Sequence, residues 1–284
     1  MKKSDFDRII KDNLILKCGE YAFGYIPTGN KKTYELYYSN FEFDKFKRTM
    51  QKENLSAFNQ FNEGKGSELE ERPYKGVMVP PKMASVASSS RFAYIALSNL
   101  GVTFEKECEI KDISGIAPQI DAYLSDDNTY FEVKCHEIFD DHKLNISSQY
   151  WKYIYGNEND FGFEKKGEIT EKQFSILPEA FGISSKNRMK FDLKQFLCHL
   201  LGIKSREHES AALVYLFFKP KSDNEVIQSE INAIFSELAV EITNIFDSEP
   251  VRTFTEIHNI SLYAIAEESY VMEPVTNGNH IKLY

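Results

Sequence analysis

Cysteine is scarce in this chain and never clustered. Four cysteines in 284 residues (Cys18, Cys108, Cys135 and Cys198) form no C-x-x-C, which removes the spacing of a zinc ribbon or a redox motif. Cys135-His136 has no second Cys/His pair at ligand spacing, so the cysteines read as reduced, buried thiols. No apolar run nears the ~18 residues that span a bilayer, and Ala211–Phe218, a prominent one, suits a strand. The first residues, MKKSDFDRII, lack the apolar stretch of a signal peptide, so a cytoplasmic protein with no membrane partner is expected. The glycine loop Glu63-Gly64-Lys65-Gly66-Ser67 is not a Walker A motif. There is no G-x-S-x-G, and His142, His208 and His258 have no nucleophile at a recognisable spacing, which argues against Ser/His hydrolase chemistry. Positive charge is also short: 34 basic against 43 acidic residues give a net −9. That balance argues against a protein that coats nucleic acid nonspecifically, and any nucleic-acid groove needs a local basic cluster.

What is present is an ordinary soluble composition, 42% hydrophobic and 27% charged, in a chain long enough for one elaborated domain or two small ones. Residues 1–62 read as an N-terminal extension of their own, with a short helix from Ser4 and another from Asp44 to Phe61. Residues 63–284 read as the main domain. Within it, Pro73–Met83 is a Pro-punctuated connector, and Ser88–Ser90 cap a helix running to Leu100 and Gly101. Val102–Ile110 alternates as a strand. Asn145–Tyr155 and Lys190–Ile203 are helix candidates, Ala211–Phe218 is a strand buried on both faces, Ile227–Ile245 mark a long amphipathic helix, and Ile260–Ala266 form a last strand.

The most informative stretch is Gln119–His136, QIDAYLSDDNTYFEVKCH. Ser125-Asp126-Asp127-Asn128 is a turn between two alternating flanks, the pattern of a β-hairpin. Folded about that turn, Ile120 faces Val133, Ala122 faces Phe131, and Leu124 shares their apolar side. On the other side Tyr123 meets Tyr130, Asp121 meets Glu132, and Gln119 meets Lys134. Like charges directly opposed on neighbouring strands are destabilising. A bound divalent cation with a taste for carboxylate oxygens removes that penalty, so Asp121 and Glu132 are candidate ligands of magnesium or manganese. Lys134, two residues beyond Glu132, lies on the same face.

Ile-Asp121-Ala-Tyr followed by Phe-Glu132-Val-Lys134, with Pro118 just upstream, resembles the signature of the PD-(D/E)XK nuclease superfamily. The expected element order resembles that family's αβββαβ core, a restriction-endonuclease-like α/β fold with a mixed central sheet flanked by helices. The resemblance implies a metal-dependent nuclease that hydrolyses phosphodiester bonds in DNA. It implies Asp121, Glu132 and the Val133 carbonyl as metal ligands, and Lys134 as the group that orients or helps deprotonate the attacking water, with a pKa open to lowering near a metal. Family members bring a further acid from upstream of the hairpin. The helix after Ser88 has none, so Glu68 is the first choice, with Glu105, Glu107 and Glu109 as rivals. Gln149 and Tyr153 resemble the Q-x-x-x-Y motif of RecB-like members. Gln195 with His199, on the Lys190 helix, is the rival pair at the same spacing, i and i+4 on one helical face. Lys186, Arg188, Lys190 and Lys194, followed by Lys204 and Arg206, form the basic cluster a DNA backbone requires. A homodimer would suit cleavage of both strands. The alternative is an inactive nuclease-like module that binds nucleic acid or a protein.

Overall fold

The computed structural model describes residues 3–18, 23–27, 34–63, 68–74, 76–107, 118–139, 142 and 189–269. The N-terminal region supplies α1 (Lys3–Cys18), the antiparallel pair β1 (Phe23–Pro27) and β2 (Tyr34–Tyr38), then α2 (Asn40–Glu53) and α3 (Leu55–Glu63). The single helix expected over Asp44–Phe61 is therefore two. Asn54 is the reason: its backbone leaves the helical region (φ −144°, ψ 77°), and its side-chain oxygen accepts the Ala57 N–H at 3.0 Å, capping α3.

The connector expected over Pro73–Met83 is more ordered than its prolines suggest. It contains a small antiparallel hairpin, β3 (Arg72–Tyr74) and β4 (Val77–Val79), turned at Gly76, whose φ of +85° favours glycine. Then comes α4 (Ser89–Leu97), where the Ser88 hydroxyl accepts the Arg91 N–H at 3.1 Å. Gly101, at φ +71°, closes the turn that follows.

The remaining elements are β5 (Thr103–Glu107), β6 (Gln119–Leu124), β7 (Thr129–Lys134), α5 (Leu193–Lys204), β8 (Ala211–Pro220), α6 (Glu225–Phe246), α7 (Glu249–Ile257) and β9 (Ile260–Ser269). They build a five-stranded sheet in the order β5-β6-β7-β8-β9. The first three strands are antiparallel; β7, β8 and β9 run parallel. The chain is thus an α/β protein with a mixed central sheet flanked by helices. Helix α7 has no counterpart in the sequence reading, although Ser248-Glu249-Pro250 carries the marks of a helix start. The helix candidate at Asn145–Tyr155 lies outside the described residues.

Strand β8 is apolar on both faces because helices cover both. On one face Tyr215 meets Phe191 and Phe196, with ring centroids 4.9 and 6.1 Å away. On the other, Phe218 meets Phe92 of α4 at 5.2 Å and Phe6 of α1 at 6.0 Å. Phe61 of α3 packs on Phe104 of β5 at 4.8 Å. The helices of residues 1–62 thus share one core with the sheet. Accordingly Phe6→Ala, at a fully buried position, should cost about 3–5 kcal/mol. Urea denaturation should show this as a shift of one transition for the whole chain. Two transitions, with only one of them displaced, would contradict the shared core.

Candidate active site

The β6–β7 hairpin forms in the expected register, with Ala122 opposite Phe131, Tyr123 opposite Tyr130 and Leu124 opposite Thr129. At the turn Asn128 takes a left-handed φ of 50°, and its side-chain oxygen accepts the Tyr123 hydroxyl at 2.9 Å. Beyond Ala122 and Phe131 the ladder stops. Residues Gln119 and Ile120 stay paired to β5, while Glu132–Lys134 stay paired to β8. The two strands part at the acidic pair, so regular cross-strand pairing of Asp121 with Glu132, Ile120 with Val133 and Gln119 with Lys134 is not formed. In place of the lost rung, the Val133 N–H donates to Asp121 Oδ2 at 2.7 Å.

The two acids do face a common space. Burial pushes the Asp121 carboxyl well above the usual carboxylate range, and the charge of Glu132 pushes it further, against the pull of Lys134 and the Val133 N–H. Glu132, only 4% exposed, is likewise raised by burial, which the attraction of Lys134 only partly offsets. Its Oε1 accepts hydrogen bonds from Lys134 Nζ at 2.6 Å and from Gln195 Nε2 at 2.8 Å. Lys134 also donates to Gln195 Oε1 at 2.6 Å. Burial alone would lower the Lys134 pKa, but Glu132, Glu137 and Asp121 outweigh it and hold the amine above its ordinary value. Lys134 is a firmly protonated donor among these side chains, not an amine poised to lose its proton. Burial also pushes Glu137 upward, yet Lys134, His136 and the N–H groups of Glu137 and Cys135 bring it below the usual range.

Of the two glutamine pairs considered in the sequence, the described structure brings Gln195 and His199 of α5 to the site. Gln149 and Tyr153 lie outside the described residues, as do Lys186, Arg188 and Glu109. His199 is buried and neutral: burial first, then Lys134, lowers its pKa to about 3. Its Nε2 contacts the Gln119 carbonyl and its Nδ1 the Tyr215 hydroxyl, each at 3.0 Å.

A cavity of about 840 Å³ opens over the parted strands, and Asp121, Glu132, Val133, Lys134 and Gln195 all line it. Glu68 lines it too, so the upstream acid chosen from the sequence reaches the same space. It is 4% exposed, its Oε1 accepts from Lys82 Nζ at 2.9 Å, and its Oε2 has no hydrogen-bond partner among the described residues. The positive charge in the lining comes from Arg72, Lys82 and Lys134. Lys190 and Lys194 do not line it; the Lys190 and Phe191 N–H groups instead donate to Glu241 at 2.8 and 3.0 Å. Arg72 and Lys82 escaped the sequence reading because they sit singly beside prolines rather than in a run. Glu105 and Glu107 belong to β5, but their side chains are outside the description. Among the described residues no cluster of three or more His, Cys, Asp and Glu side chains could hold a metal by itself. The chain matches no family model, no curated protein and no solved structure.

The electrostatics yield a stability prediction. A carboxyl whose folded pKa is raised binds its proton more tightly in the folded state, so stability is lost as pH rises from its unfolded pKa to its folded pKa, and the loss is complete above the latter. Asp121→Asn keeps an oxygen for the Val133 N–H and removes the charge. It should therefore be more stable than the parent at neutral pH, because neither burial nor the charge of Glu132 then penalises an anion at this position. The advantage should narrow as pH falls from the raised folded pKa toward about 4 and vanish below it, where the parent carboxyl is neutral in both states. Thermal unfolding of both proteins across pH checks this.

Proposed function

We propose that this protein is a metal-dependent nuclease of the PD-(D/E)XK type that hydrolyses phosphodiester bonds in DNA on a restriction-endonuclease-like core. The observation that carries the proposal is the meeting of Asp121, Glu132 and Lys134, from neighbouring strands, in one cavity. The order α4-β5-β6-β7-α5-β8 supports it, since it follows the αβββαβ sequence that the resemblance implies.

The donor set fits a hard divalent cation. Burial and the charge of Glu132 disfavour the Asp121 anion, and burial disfavours the Glu132 anion; a cation relieves both. Asp121 Oδ1 takes no hydrogen bond among the described residues, and Glu132 Oε2 has only a 3.7 Å contact with the neutral His199. Glu68 Oε2 is buried without a hydrogen-bond partner among the described residues. Magnesium keeps several waters and is held by one or two carboxylates plus substrate phosphate, so two acids without a closed protein cage suit it. In a strand the N–H and C=O of one residue point to the same neighbour. The Val133 N–H points at Asp121, so its carbonyl is turned to the same opening. When bound, magnesium or manganese polarises the scissile phosphate and lowers the pKa of the attacking water.

The chain's own groups do the rest. Lys134 has three N–H donors, of which Glu132 and Gln195 take two; the third is left for a phosphate oxygen or the attacking water. Because its neighbours keep it protonated, Lys134 in the metal-free chain is a donor that orients and stabilises charge. Gln195 bridges the amine and Glu132, donating to the acid and accepting from the amine. Arg72 and Lys82 attract the backbone phosphates on the far wall, and that attraction weakens with salt.

The test is cleavage of linear, circular and single-stranded DNA, with RNA as comparator, in magnesium, manganese or EDTA. The wild type should cut DNA only with a divalent ion. Asp121→Ala, Glu132→Ala and Lys134→Ala should each lose about 100-fold or more in rate. DNA binding without turnover in either ion would overturn the enzyme and leave the binding module.

A further inference from the structure

Parting two strands in a buried part of a sheet is costly, because each lost rung leaves an N–H and a C=O in need of a partner. The gap between β6 and β7 therefore needs something to hold it. On the β7 side, Gln195 donates to Glu132 at 2.8 Å and accepts from Lys134 at 2.6 Å. On the β6 side, His199 meets the Gln119 carbonyl at 3.0 Å. A carbonyl can only accept, so Nε2 carries the proton, and Nδ1 accepts the Tyr215 hydroxyl at 3.0 Å. Gln195 and His199 stand at i and i+4, on one face of α5. One face of a single helix thus grips both branches of the gap, and Tyr215 from β8 fixes the ring that holds the farther branch.

The helix is itself anchored at this end. Asp192 caps it, accepting the Gln195 N–H at 3.0 Å, and Glu241 of α6 accepts the Lys190 and Phe191 N–H groups just before it. His199 is 1% exposed, so its ring is held among protein atoms. We propose that α5 is a clamp that keeps β6 and β7 apart at Asp121 and Glu132, with His199 as the positioning residue for the β6 branch and Gln195 for the β7 branch. The clamp's purpose, a gap open to a cation, rests on the nuclease reading; the clamp itself rests only on these hydrogen bonds.

The experiment separates the two. Hydrogen–deuterium exchange is followed in the metal-free full chain for residues 118–124 and 130–136, with β8 as reference. His199→Leu keeps apolar volume and removes the donor. It should speed exchange in the two segments roughly tenfold, as expected for one buried hydrogen bond, while β8 stays unchanged. His199→Gln, which can donate to the Gln119 carbonyl, should recover most of the protection. Tyr215→Phe, the milder variant should His199→Leu fail to fold, keeps its ring packing and should raise exchange in the same two segments, by less. Unchanged exchange at the gap in the folded variants, or an equal rise throughout β8, would overturn the clamp. A protein that cuts no DNA yet loosens only at the gap would sink the nuclease reading and leave the clamp standing.

Discussion

Two carboxylates, Asp121 and Glu132, are held out of water on neighbouring strands where the ladder between those strands ends. Most of what surrounds them answers that one unfavourable arrangement. Lys134 offsets part of the charge and is itself kept protonated by it. Gln195 joins acid to amine, and the Val133 N–H, deprived of its rung, takes Asp121 Oδ2. Burying like charges together lowers stability, and a sheet with no task at this point would pair its strands and carry neutral side chains. A built-in electrostatic cost beside a cavity marks a candidate functional site.

The topology explains why the arrangement falls where it does. Strand β7 is where the antiparallel half of the sheet gives way to the parallel half. A parallel neighbour requires a crossover rather than a tight turn, and α5 is part of the path from β7 to β8. A crossover helix lies over the sheet, so residues on its inner face come down on Glu132, Lys134 and Tyr215. Helix α4 closes the cavity from the other direction, with Ser88, Ser89 and Ser90 at its start among the lining residues. The N-terminal elements add Tyr37, Gln60 and Glu63, so the first sixty residues help build the walls of the site as well as its core.

The hairpin was legible in the sequence because period-two alternation on both sides of Ser125–Asn128 leaves one register that buries Ile120, Ala122, Phe131 and Val133 together. The buried β8 and the long α6 were legible for similar reasons. The point at which the pairing ends was not, because alternation continues unbroken through Asp121 and Glu132 whether or not a ladder joins them. Gln195 could not be ranked above Gln149, since both show the same i, i+4 spacing and spacing alone does not tell that Gln195 contacts Glu132 and Lys134. Arg72 and Lys82 were invisible as a basic wall, because the short hairpin that brings Arg72 round is coded by one glycine, Gly76, between prolines and valines. Asn54 divided a continuous helical pattern for a local reason, a cap, that apolar periodicity does not report.

The account turns on whether the acid pair holds a divalent cation. Manganese titration followed by electron paramagnetic resonance, on the protein without DNA at neutral pH, measures this directly. The account predicts saturable binding to the wild type and a loss of roughly tenfold or more in affinity for Glu132→Gln, with the fold intact. No binding to the wild type, or equal binding to the variant, would contradict it.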